Sequence, residues 1–287
     1  MLKKKSILVT GSHRSGSTWT GRMLSISKKI KYVHEPFNLN HRSEFVPVKY
    51  WFEYVTESDN KVRQNRFLNY LKGIIGFPIR IPGTGLTNIT ANDRSFLRFL
   101  VKDPNAIFSA DWIAKKLDMD VVVLIRHPAA FVGSLKVMKW FHDFNHFLNQ
   151  ETLMSQVLFP FEKEIRTLVK KENDIIEHGI LLWNLIHYRI RHYQNRFNNW
   201  HFIRHEDLSL NPIEVFGKLY KSLQIDYSEE IKNEILIYTQ GKEISELKRN
   251  SKKNIFSWRS RLTDDEILKI RSQTEEYSHT FYSHEDW

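Results

Sequence analysis

Thr10-Gly11-Ser12-His13-Arg14-Ser15-Gly16-Ser17-Thr18-Trp19 keeps the frame of a Walker A loop, G-x-x-x-x-G-K-[ST], but Ser17 stands where the lysine belongs. A cation, Arg14, stands three residues earlier instead. The Walker lysine serves the β- and γ-phosphates of a nucleoside triphosphate. Without it the loop can still cradle a phosphate, but it is poorly suited to hydrolysing ATP. Before the loop lies Ser6-Ile7-Leu8-Val9-Thr10, a short apolar, β-branched run of the kind buried in parallel sheets. After it, Trp19, Met23 and Ile26 recur at helical spacing. Strand, glycine loop and helix together turn backbone N–H groups and a helix N-terminus toward an anion. Gly11 and Gly16 permit the tight turn and close backbone approach. Taken alone, the loop is also compatible with an ordinary glycine-containing connection.

Apolar runs recur at Ile7 to Val9, Phe99 to Val101, Val121 to Ile125 and Trp200 to Ile203. Helical patterns separate them over Ile107 to Leu117, Ala129 to Trp140, Phe161 to Lys171 and Ile175 to Phe197. This alternation predicts an α/β fold with right-handed crossovers. The phosphate loop makes that a P-loop NTPase-like three-layer sandwich: a central parallel sheet with helices on both faces. We expect one domain over residues 1–287, with two excursions from it. Residues 38–95 carry Tyr50, Trp51, Phe52 and Tyr54 with a glycine- and proline-rich stretch, and residues 140–160 carry Trp140, Phe141, Phe144, Phe147 and Phe159. Such excursions are often lids or substrate walls. Aromatic clusters are also commonly plain core.

Lysine plus arginine outnumber aspartate plus glutamate by 43 to 33, for a formal charge of +10. Nucleic acid, an anionic cofactor, an acidic polymer or a membrane surface would each fit that balance. The basic residues are scattered and no nucleic-acid-binding signature accompanies them, which weakens the first reading. The chain has no cysteine, so disulfides and thiolate metal sites are excluded. Met1-Leu2-Lys3-Lys4-Lys5 is followed by too short an apolar run for a secretion signal, and no stretch is long enough to cross a membrane. The cytoplasm is the expected location.

Val121-Val122-Val123-Leu124-Ile125-Arg126-His127-Pro128 is the strongest strand, and it ends in Arg126 rather than the Asp of a Walker B strand. Pro128 suits the first turn of a helix, and Ser134 follows within it, eight residues after Arg126. An arginine at the end of a central strand sits where α/β folds bind ligands, and its fork suits a phosphate. The lysine-less loop and the strand-Arg-x7-Ser pattern together resemble the sulfotransferase family that uses 3′-phosphoadenosine-5′-phosphosulfate (PAPS). The cytosolic branch typically reads P-K-S-G-T-T-W at the loop. His13-Arg14-Ser15-Gly16-Ser17-Thr18-Trp19 is closer to the carbohydrate and bacterial branches. Arg204-His205-Glu206-Asp207-Leu208 looks like that family's [RY]-x-E-D-L element.

The resemblance implies in-line transfer of a sulfuryl group from PAPS to a hydroxyl of a carbohydrate, glycolipid or other small acceptor, leaving adenosine 3′,5′-bisphosphate and needing no metal. It implies Arg14 at the bridging oxygen and the leaving phosphate, acting electrostatically because arginine keeps its proton. Ser17 and Thr18, with backbone N–H groups from Ser15, Gly16, Ser17 and Thr18, hold the 5′-phosphate; Arg126 and Ser134 hold the 3′-phosphate. Trp19 either contacts adenine or fills core. The cytosolic branch's histidine base has no counterpart at Leu100-Val101-Lys102-Asp103-Pro104. Carbohydrate-type members use a glutamate soon after the first helix, commonly before proline, and Glu35-Pro36 fits that place. Glu35 is therefore the expected base, with partial burial raising its pKa from about 4.3. His34 is the alternative; on a strand the two would point to opposite faces. Lys102 could reach the sulfonate or the acceptor, with Asp103 orienting Lys102 or Arg14, unless the two simply pair. A basic segment near 248–260, with Lys252 and Lys253, would clamp the 3′-phosphate or else be a solvated charge run. Two rivals stand beside this reading: a P-loop kinase or NTPase, and a polyanion-binding protein on an inactive scaffold.

Overall fold

Five strands form one parallel sheet in the order β2-β3-β1-β4-β5: β1 (Ser6–Gly11), β2 (Ile30–His34), β3 (Arg98–Lys102), β4 (Met119–Ile125) and β5 (His201–Arg204). The computed structural model describes residues 4–27, 29–41, 45–76, 98–171, 174–240 and 255–287. Around the sheet lie α1 (Ser17–Leu24), α2 (Lys61–Gly76), α3 (Ala110–Leu117), α4 (Pro128–Met138), α5 (Asn145–Leu148), α6 (Glu151–Leu153), α7 (Glu162–Val169), α8 (Ile175–Arg196), α9 (His205–Leu210), α10 (Pro212–Ser222), α11 (Glu229–Gln240) and α12 (Asp264–Ser278).

The central strands are apolar along their length because both faces are covered. Successive side chains alternate between the faces, and the core divides accordingly. Leu8, Val101, Val121, Val123 and Ile125 pack with Ile113 of α3, Phe131 of α4 and Trp183 of α8. Ile7, Val9, Leu100, Val122 and Leu124 pack with Met23 of α1 and Leu219 of α10. This is the three-layer sandwich that the alternation predicted. Local sequence fixes where the helices begin. Pro128 opens α4, the Asp174 carboxylate accepts from the N–H groups of Ile176 and Glu177 at the start of α8, and Thr263 with Glu266 makes a capping box on α12.

The ladder continues past the strand ends. Glu35 N–H donates to Lys102 C=O at 2.8 Å and Asp103 N–H to Val9 C=O at 2.9 Å. The loops that leave β2 and β3 are therefore tied to the sheet itself.

The aromatic residues of the two excursions do not share one destination. Phe52, Phe144 and Phe147 are buried, with Phe52 stacked on Phe147 at 5.4 Å, while Phe141 and Phe159 are exposed. Trp51 and Trp140 instead face a cleft above the C-terminal ends of the strands. Residues 77–95 of the first expected excursion lie outside the described residues. Among the described residues, no helix is long and apolar enough to cross a membrane.

Candidate active site

The phosphate loop leaves β1 at Gly11, whose φ of +136° places a hypothetical Cβ 2.2 Å from Leu124 C=O. Only glycine fits that approach. At Gly16, φ is +83° and a Cβ would lie 2.5 Å from His205 Nδ1, so the [RY]-x-E-D-L segment shapes the loop from behind. Ser15 Oγ donates to Ser12 C=O at 2.6 Å and braces the loop internally. Gly16 is the N-cap of α1 and supplies no side-chain cap. The first N–H groups of α1 thus stay available to an anion, together with the positive end of the helix dipole.

Arg14 and Ser134, 120 residues apart, meet here: Arg14 Nε donates to Ser134 Oγ at 3.1 Å. Arg126 Nη1 donates to Arg14 C=O, and Trp183 Nε1 donates to Arg126 C=O at 2.9 Å. The two sequence signatures thereby become one wall. Burial disfavours the Arg126 charge and lowers its pKa, while the carboxylate of Glu206 opposes that shift. Glu206 is buried and pushed above the usual carboxylate range by that burial. It accepts from His127 N–H at 3.2 Å and from Tyr282 O–H at 2.9 Å. Arg204 pairs with Asp207 at 2.8 Å and with Asp286 at 3.2 Å, tying the same element to the chain's last residues.

Across the cleft, Glu35 sits just past β2 with φ +46°. Its carboxylate is paired with Lys102 and accepts from Asn38 Nδ2 at 2.6 Å. One expectation is corrected here. Burial, the largest single influence, raises the Glu35 pKa, but the Lys102 ammonium together with His34 and Asn38 outweighs it, and the net shift is downward. The backbone at Glu35 is left-handed, and of the two neighbours Glu35 lines the cleft while His34 does not: His34 Nε2 lies 3.8 Å from Glu35 Oε2, and its Nδ1 meets Tyr32 O–H at 3.2 Å. Lys102 is wholly buried behind Glu35, and burial lowers its pKa. Asp103 does not pair with Arg14. Its carboxylate accepts from the N–H groups of Phe37 and Asn105, the latter at 2.9 Å, and burial pushes it up to about 7.

A cleft of about 480 Å³ lies between the two walls; His34 and Lys102 do not line it. Arg14, Gly16, Ser17, Thr18, Trp19, Glu35, Arg126 and Ser134 all line it. Trp19 does so while its ring packs edge-on against Phe216 at 5.5 Å. Lys252 and Lys253 fall outside the described residues. From the expected basic clamp, Ser257 reaches the cleft, and Arg261 reaches it from just beyond. The sequence reading gave no role to His13, Asn38, Asn105 or Tyr238, which also line it. His13 was in view only as loop filler; the others come from segments with no motif.

A family model described as the sulfotransferase family matches residues 6–229. The chain belongs to the sulfotransferase family. Its chemistry is accordingly sulfuryl transfer, on a P-loop-like α/β fold. No curated protein sequence matches it. Among solved structures, the sulfotransferase domain of the Synechococcus PCC 7002 olefin synthase is similar at 16% identity and TM-score 0.52, covering 99% of this chain and 98% of that one. The sulfotransferase domain from the curacin biosynthetic pathway is similar at 15% identity and TM-score 0.50, covering 95% and 98%. At such identities the likeness is one of fold.

Proposed function

We propose that this sulfotransferase uses PAPS as its donor, acts in the cytoplasm, and moves the sulfuryl group to a hydroxyl of a carbohydrate, glycolipid or other small acceptor. The observation that carries the reading is the meeting of Arg14, Ser134 and Arg126 on one wall of the cleft that Glu35 borders on the other. Two cations and a hydroxyl from separate segments suit a nucleotide with phosphate at both ends of its ribose. Arg126 Nε is buried with no partner among the described residues, a donor suited to a phosphate oxygen.

Glu35 takes the proton of the acceptor hydroxyl as the new O–S bond forms, and the S–O bond to the 5′-phosphate breaks. Arg14 stabilises the charge that collects on the departing phosphate oxygen. Lys102 keeps Glu35 ionised, and therefore able to accept a proton, at neutral pH. Trp51 and Trp140, from the two aromatic excursions, wall the acceptor side.

The test is a screen with radiolabelled PAPS against carbohydrate, phenolic and lipid hydroxyls, with Glu35→Gln as the control. Stabilisation by ATP–Mg²⁺ but not by adenosine 3′,5′-bisphosphate in a thermal-shift assay would overturn the donor assignment.

A further inference from the structure

Asn105 lies in the short 3₁₀ turn Pro104–Ser109 that follows β3, three residues beyond Lys102. It is only 1% exposed, yet it lines the cleft. Two neighbours hold it. Its backbone N–H donates to Asp103 Oδ1 at 2.9 Å, and its side-chain Oδ1 is 2.7 Å from His13 Nε2. His13 is itself gripped edge-on by Phe52 and Trp140, each ring centre 4.9 Å away. Burial pulls the His13 pKa down to about 4, so at neutral pH the ring is neutral and carries one N–H. Given to Asn105 Oδ1, that N–H fixes which way the amide points.

With its carbonyl end occupied, Asn105 has its NH₂ left for the cleft. No described residue accepts a hydrogen bond from it. An amide donor that opens onto the cleft is placed to serve a ligand there. The neighbouring donors are already engaged, because Lys102 and Asn38 Nδ2 both serve Glu35. A sulfuryl group carries three non-bridging oxygens that share negative charge throughout transfer. An amide can donate to one of them without competing for the acceptor's proton, because its own basicity is negligible.

We infer that Asn105 Nδ2 donates to a non-bridging oxygen of the transferring sulfuryl group, with His13 as the positioning residue that orients the amide. The inference rests on PAPS as donor. It makes Asn105 a sensor of the one group by which PAPS differs from adenosine 3′,5′-bisphosphate.

The experiment compares the dissociation constants of those two nucleotides by calorimetry, for the wild type and for Asn105→Ala, Asn105→Asp and His13→Leu. Asn105→Ala should weaken PAPS about tenfold and leave the bisphosphate within about twofold, the loss of one hydrogen bond to a charged group. Asn105→Asp keeps the shape, still accepts from His13 and turns a second anion toward the sulfuryl oxygens. It should shift the ratio further in the same direction, and it carries the test alone if the alanine variant does not fold. His13→Leu should shift the ratio by a smaller factor. Equal losses for both nucleotides, or no loss for either, overturn the inference while leaving the donor assignment standing. A wild type that binds neither nucleotide overturns both.

Discussion

At the phosphate-loop end of the cleft, Arg14 reaches a serine hydroxyl and Arg126 a backbone carbonyl. At the opposite end, Lys102 is spent on the Glu35 carboxylate and is wholly buried. The first end places two guanidinium groups and a serine hydroxyl at the cleft, which on our proposal bind the nucleotide's phosphates. The second has neutralised itself in advance, and what it offers the cleft is a place for a proton. One fold thus holds two electrostatic regimes within a single cleft, one built for binding and one for chemistry.

Mutation should separate the regimes. Glu35→Gln removes the proton acceptor and should lower kcat by about 10³-fold with nucleotide affinity unchanged. Activity within tenfold of wild type would remove Glu35 as base and leave His34, 3.8 Å away, as its successor. Arg14→Ala strikes the other end. It should cost about 10²-fold in kcat and weaken adenosine 3′,5′-bisphosphate as well, whereas intact affinity would detach Arg14 from the phosphates.

Lys102→Met tests the link between burial and charge. In the wild type Lys102 holds the Glu35 pKa down, so the carboxylate stays ionised until the pH falls below the usual carboxylate range. Without the ammonium, only Asn38 and His34 still oppose burial, and the pKa rises. The acid limb of the kcat/KM profile should then move up by at least about one pH unit, with the loss smallest at alkaline pH. A limb that stays in place would mean Lys102 does not set the ionisation of Glu35. The smallest expected effect is that of Tyr282→Phe, which deletes the O–H donated to Glu206 behind Arg126. Preference for adenosine 3′,5′-bisphosphate over adenosine 5′-phosphate should fall about three- to tenfold by calorimetry. An unchanged preference would separate the Glu206 carboxylate from the 3′-phosphate wall.

The two ends also differ in how far the sequence revealed them. The phosphate-loop end was legible because its parts are local patterns: a glycine loop after a β-branched strand, and an arginine that ends the strongest strand. The alternation of apolar runs likewise gave the three-layer fold. The other end is assembled from residues 13, 35, 38, 102, 103 and 105, which share no spacing. Their joint effect depends on which side chains are buried together. Burial of Glu35 predicts a raised pKa, but Lys102, 67 residues away, reverses the sign. Strand alternation separates His34 from Glu35, and of the two Glu35 alone lines the cleft. Asp103 read as an ion-pair partner and instead gathers two backbone N–H groups.

The rungs Glu35 N–H to Lys102 C=O and Asp103 N–H to Val9 C=O bind the loops after β2 and β3 into the same hydrogen-bond lattice as the sheet. Those two amides can exchange with solvent only when the lattice opens, so their hydrogen–deuterium exchange should be as slow as that of the β1 and β3 interiors. The carboxylate proposed as base then moves with the slowest part of the molecule, and an acceptor must come to it.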